Sequence, residues 1–131
     1  MSFGYATAEF EVTSERLGVY RPEEHMDNPK DYADNADARQ FDQRLRGPVM
    51  PIELQIDPNT GMKNYIANEH AQIATSLGYI KWSFARSIHF GRCYTRGVNK
   101  GREEDLCEAL RCLGQGLHCM EDFVSQHAQN L

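Results

Sequence analysis

Apolar positions in the second half of the chain recur with helical spacing. Ile66, Ile73, Leu77, Ile80, Phe84 and Ile88 follow one another at steps of three, four and seven residues. That spacing predicts an amphipathic helix from about Lys63 to about Arg92. After the glycine-bearing stretch "CYTRGVNKGREEDL", a second stripe runs through Leu106, Leu110, Leu113, Leu117, Met120 and Val124. Glu103, Glu104 and Asp105 fall in the first turn of this second helix, where negative charge complements the helix dipole. Two long helices with matching stripes are expected to pack antiparallel.

The first half follows another rule. All five prolines, at 22, 29, 48, 51 and 58, lie within its first 58 residues. Proline fixes φ and removes a backbone donor, so turns, extended pieces and short helices are expected there. One short helix is expected at Thr13 to Leu17, with Thr13 as cap and Gly18 as stop. "PIELQI" alternates apolar and polar residues and reads as a short strand or an extended arm; no second strand is evident to pair with it, so the arm is preferred. The expectation is a single all-α domain over 1–131. Residues 1–61 form an irregular, acidic, proline-rich wrap, and residues 62–131 form the core of two long antiparallel helices.

Charge sharpens this division. Residues 1–61 carry 12 acids against 6 bases, and residues 62–131 carry 7 against 8, so the acidic excess lies in the wrap. A net charge of −5 with no concentrated Lys/Arg surface argues against a nucleic-acid partner. The segment after Met1 lacks a basic region followed by an apolar run, so no signal peptide is read there. No window approaches ~18 consecutive apolar residues, the length a spanning helix needs. The cysteines at 93, 107, 112 and 119 have no zinc-finger spacing, and the sequence does not pair them.

Candidate chemistry gathers on the last helix. His118 and Asp122 are one turn apart and share a face, so an imidazole and a carboxylate point to one place. Zinc uses such a nitrogen and oxygen pair when neighbouring helices supply further ligands. The same pair also serves as an ordinary surface hydrogen bond. His127 falls about opposite His118 on a continuous helix. His89, on the first long helix, is a candidate third metal ligand, although a satisfied core histidine fits its position as well. His70 reads as structural, and His25 lies in the acidic stretch "RPEEHMDNP", where a solvated charge run is the default.

Four longer phrases, "ERLGVYRPEEHMDNPKDYAD", "DPNTGMKNYIANE", "GYIKWSFARSIHFGR" and "EALRCLGQGLHCMEDF", together resemble the fungal heterokaryon incompatibility protein Het-C family. The resemblance runs from about Thr13 to Phe123 and implies a truncated member of a larger protein, whose relatives belong to the secretory pathway or the membrane. It implies an α-helical core similar to zinc-dependent phospholipase C and P1-type nucleases. Its biological implication is non-self recognition and programmed cell death between fungal strains.

The family phrase has the form H-x-x-E-D-F-x-x-H-[ST]-N, and His118, Glu121, Asp122 and Phe123 occupy its first four marked positions. Gln126 stands where the next histidine belongs, with His127 one place late. Two functions follow from the resemblance. In the first, the chain acts in incompatibility by associating with an unknown protein partner or a membrane surface. In the alternative, it is a zinc-dependent phosphodiester or phospholipid hydrolase, with His118 and Asp122 as metal ligands, His89 as a candidate third ligand and Glu121 as a candidate for the catalytic base or for a residue supporting the ligands.

Overall fold

The computed structural model describes residues 21–26, 37–40, 43 and 45–128, with side chains up to Ser125. The predicted helix at Thr13 to Leu17 lies outside the described residues. By backbone proximity the chain forms two units, one of residues 1–21 and 30–49, the other of residues 22–29 and 50–131. In the first unit, Ala38–Gln40 forms a single 3-10 turn, closed by a bidentate pair between Arg39 and Asp37 at 2.6 and 2.8 Å.

The second unit is helical, and no strand occurs among the described residues. It comprises α1 (Pro22–His25), α2 (Pro51–Leu54), α3 (Asn64–Ala67), α4 (Ser76–Arg96) and α5 (Glu103–Ala128). The expected all-α class is what the chain adopts. The expected arm at "PIELQI" is instead one helical turn: Pro51 occupies the first turn, and the Met50 amide donates to the buried Glu53 carboxylate at 2.6 Å. A proline at that position loses no intrahelical bond, which suits this turn. The tight "DPNTG" loop and an isolated bridge between Ile56 and Lys63 then lead into α3.

The helix expected from Lys63 to Arg92 is divided. α3 ends at Ala67, and a loop precedes α4, capped by the Thr75 hydroxyl accepting from the Gly78 amide at 3.1 Å. Asn68 accepts from the His70 amide through its own side chain, offering the backbone an alternative to the helical ladder. Gln72 then adopts φ 55°, which no α-helix accommodates.

α4 and α5 are antiparallel, as Ser83 against Gln115 and Ser87 against Ala109 show. On α5 the surface that meets α4 is not the stripe of large apolar residues, although Ile80 and Phe84 of the α4 stripe do reach the seam. Buried along the seam are Ser76 and Ser83 from α4 and Ala109, Cys112, Gly116 and Cys119 from α5. Leu110, Leu113, Leu117, Met120 and Val124 are all exposed. Small side chains let the two backbones approach closely: a Cβ built on Gly116 would stand 2.6 Å from the Phe84 ring. Polar contacts bind the seam as well. Glu108 accepts from Arg86 across it at 2.9 Å, and the Ser87 hydroxyl donates to the Ala109 carbonyl at 2.7 Å.

The apolar core sits at one end of this pair, where Met26, Tyr65, Ile66 and Cys119 are buried, with Tyr79, Ile80 and Phe123 packed around them. It fixes α1 against α5. Met26 enters the core from a left-handed backbone conformation, φ 43°, whose cost is on the order of 1–2 kcal/mol and is offset by burying its side chain. The residue before it, His25, is thereby held beside α5.

Candidate metal centre

Asp122 and His118 stand on successive turns of α5, and the His118 Nε2 lies 3.4 Å from the Asp122 Oδ2. The i,i+4 geometry read from the sequence brings these two together. The third member comes from α1: His25 Nδ1 is 3.3 Å from Asp122 Oδ2 and 3.3 Å from His118 Nε2. The two imidazoles meet edge to face, with ring centroids 5.2 Å apart. Two nitrogens and a carboxylate oxygen thus form a nearly equilateral triangle of electron-rich atoms.

Hydrogen bonds from the imidazoles to the carboxylate can hold such a triangle together, and a divalent cation could engage all three atoms. Each imidazole has its own N–H, so the two edges to Asp122 can both be hydrogen-bonded, leaving the His25–His118 edge as the one such bonds do not close. This is the one group of three such ligands among the described residues that could hold a metal. The side chain of Asp122 is 27 % exposed and that of His118 59 %, so the triangle is anchored on the protein side and open towards solvent.

Cys119, adjacent to His118 in sequence, takes no part. It is fully buried, and its thiol donates to the Glu23 carbonyl at 3.4 Å. Burial pushes that thiol up to about 11, so it stays protonated near neutrality and serves packing.

His89 is not brought to this triangle. It is exposed on α4, with its Nε2 3.7 Å from the Cys93 Sγ and its ring against Phe90. The register of Ser87 against Ala109 sets position 89 near position 107, eleven residues along α5 from His118. At 1.5 Å per residue that is roughly 16 Å away. Glu121 is exposed on the turn that joins His118 to Asp122. His127 belongs to the last turn of α5, and its side chain, like that of Gln126, lies outside the described residues. His70 is exposed, with its amide bonded to Asn68.

His25 is the residue that reading the sequence for chemistry overlooked, since "RPEEHMDNP" reads as a solvated acidic run. Its local signal was a one-turn helix: proline at the start, two acids in the first turn, a histidine at the end and an apolar Met26 to dock it. Nothing local gave its partner, 93 positions away.

Comparison with known proteins gives one match. The sequence model of the family described as "Heterokaryon incompatibility protein Het-C" matches residues 1–130, essentially the whole chain, and the chain belongs to that family. Neither a curated protein nor a solved structure matches it.

Proposed function

We propose that this Het-C family member holds a zinc ion between His25, His118 and Asp122, and that the centre hydrolyses a phosphodiester or phospholipid as the chemical arm of an incompatibility response. Membership of the family supports an incompatibility-related role in general. The observation that carries the chemistry is the size of the triangle. Zinc bonds of ~2.0–2.1 Å to nitrogen and oxygen in a tetrahedron imply ligand separations of about 3.3–3.4 Å. The three separations here are 3.3, 3.3 and 3.4 Å.

Three protein ligands with one open vertex is the arrangement of catalytic rather than structural zinc sites. When bound, zinc supplies a Lewis acid for a phosphoryl oxygen and lowers the pKa of a water. The residues of the chain do the rest. His25 and His118 would supply the nitrogen ligands and Asp122 the oxygen ligand, and the exposed Glu121 carboxylate, on the same turn, would be the candidate proton acceptor. His89 has no ligand role in this reading.

Elemental analysis of purified protein after zinc supplementation tests the centre. Roughly one equivalent is expected, lost in His118→Ala and in His25→Ala. Hydrolysis of bis(p-nitrophenyl) phosphate or short-chain phosphatidylcholine by the loaded protein, and its loss in Glu121→Gln, tests the chemistry. Binding of less than about a tenth of an equivalent would remove the hydrolase reading.

A second reading, association with a protein partner or a membrane surface, is favoured by one separate observation. Five large apolar side chains stand exposed on a single face of α5, and contiguous exposed apolar surface marks interaction sites. Co-sedimentation with lipid vesicles tests the membrane form of this reading. No described helix is long and apolar enough to cross a membrane.

A further inference from the structure

We propose that the exposed face of α5 pairs with the same face of a second copy of this chain, antiparallel, about a two-fold axis at Gln115. The inference rests on the association reading and commits it to one occupant.

The spacing of the face comes first. Leu106, Leu110, Leu113, Leu117, Met120 and Val124 follow at alternating steps of four and three, so each consecutive pair of steps advances seven residues. Alternating four and three is the a/d pattern by which two helices pair along a seam. Among the described residues this seam is little used, with Leu106 half-buried and the rest exposed, because α4 packs against the neighbouring line of Ala109, Cys112, Gly116 and Cys119. Leu110 is 58 % exposed, Leu117 50 % and Val124 64 %.

Self-pairing matches every one of these residues. With the axis at Gln115, Leu106 of one copy meets Val124 of the other, Leu110 meets Met120 and Leu113 meets Leu117, each pair occurring twice. Such an interface is isologous and closes on itself. A parallel pair would set Glu103, Glu104 and Asp105 beside the same three acids; the antiparallel pair separates them and opposes the helix dipoles.

Gly114 supplies an independent observation. Glycine within a helix weakens it relative to alanine, and here a Cβ at Gly114 would meet nothing within 4 Å. No neighbour among the described residues calls for the missing side chain. Position 114 flanks the seam next to the proposed axis, where the two helices come closest. On the other flank the Phe84 ring lies against Gly116, so both α4 helices border the pair on one side and complete a four-helix arrangement.

The seam spans 18 residue steps, about 27 Å, on a helix about 10 Å wide, which buries on the order of 1,000 Å² over two copies. That lies at the low end of specific interfaces, so a micromolar dimer is expected.

Sedimentation velocity of the full chain from about 1 to 100 µM is the test. A concentration-dependent dimer is expected, abolished in Leu113→Glu/Leu117→Glu with the circular dichroism of the monomer retained. Gly114→Leu adds a readout that a mere surface position would not move: the Kd rises at least about tenfold while the monomer melts no lower. In a Cys93→Ser background, spin labels on Cys107 should stand roughly 25 Å apart, because that position lies eight residues from the axis. Short label distances would overturn the antiparallel pairing. A chain that stays monomeric throughout, or a dimer that survives the double glutamate variant, would overturn self-pairing. A monomer that still sediments with vesicles through these leucines overturns self-pairing while leaving the association reading intact; a monomer that does not removes both.

Discussion

Replacing His25 by alanine isolates the ligand that joins the two parts of the proposed centre. Zinc bound by four ligands contributes ~10–16 kcal/mol, so each ligand carries about 3 kcal/mol, roughly a hundredfold in Kd. Zinc at a hundred times the wild-type Kd stabilises the native state by about 2.7 kcal/mol. For a chain of this size, each kcal/mol moves Tm by roughly 3–5 °C, so zinc should raise the wild-type Tm by about 8–13 °C over its chelated form. In His25→Ala the same zinc concentration only equals the weakened Kd. The stabilisation falls to about 0.4 kcal/mol, a shift of about 1–2 °C. Differential scanning fluorimetry with EDTA and zinc arms for each variant measures both numbers, and referring each variant to its own chelated form removes any effect of His25 on α1 itself. His89→Ala should keep the full wild-type shift, because that residue lies far along α4. A His25→Ala protein that responds to zinc as the wild type does would refute the triangle.

Glu108 gives a pH prediction. Arg111 first, and Arg86 from α4, hold its carboxyl well below the ordinary value of 4.5. Its ionised form is thus favoured by folding, and the stability it brings is full above about pH 4.5 and lost as pH falls from there towards the folded-state value. The Tm gap between wild type and Glu108→Gln should be constant from neutrality to about pH 5 and should shrink on further acidification. Gly116→Val drives a side chain into the Phe84 ring and should cost about 1–3 kcal/mol by thermal melt, with partial rescue by Phe84→Ala. Thr75→Ala removes the α4 cap and should cost about 1 kcal/mol by the same measurement.

Periodicity made the two long helices and their antiparallel course legible, because both are local properties of spacing. It misjudged which face of α5 meets α4. Hydrophobic spacing finds the most apolar face of a helix, whereas close approach selects the smallest one. On α5 the small line through Ala109, Cys112, Gly116 and Cys119 outcompeted the leucines next to it. The break before α4 was missed because no proline announces it; Asn68, Gln72 and Thr75 do that work through side-chain bonds and a left-handed turn. His118 and Asp122 were readable as a pair on one turn. His25 was not, since its relation to them is made by the docking of Met26 and Cys119 in three dimensions.

A seam of serine, alanine, cysteine and glycine has a calorimetric signature. Heat capacity rises on unfolding in proportion to apolar surface newly wetted, and the average of 12–15 cal/mol/K per residue would give this chain about 1.6–2.0 kcal/mol/K. Leucines already about half exposed in the native monomer add correspondingly less to that term. The monomer should therefore unfold with a heat-capacity increment below this range, a shallow urea dependence and a broad, flat stability curve.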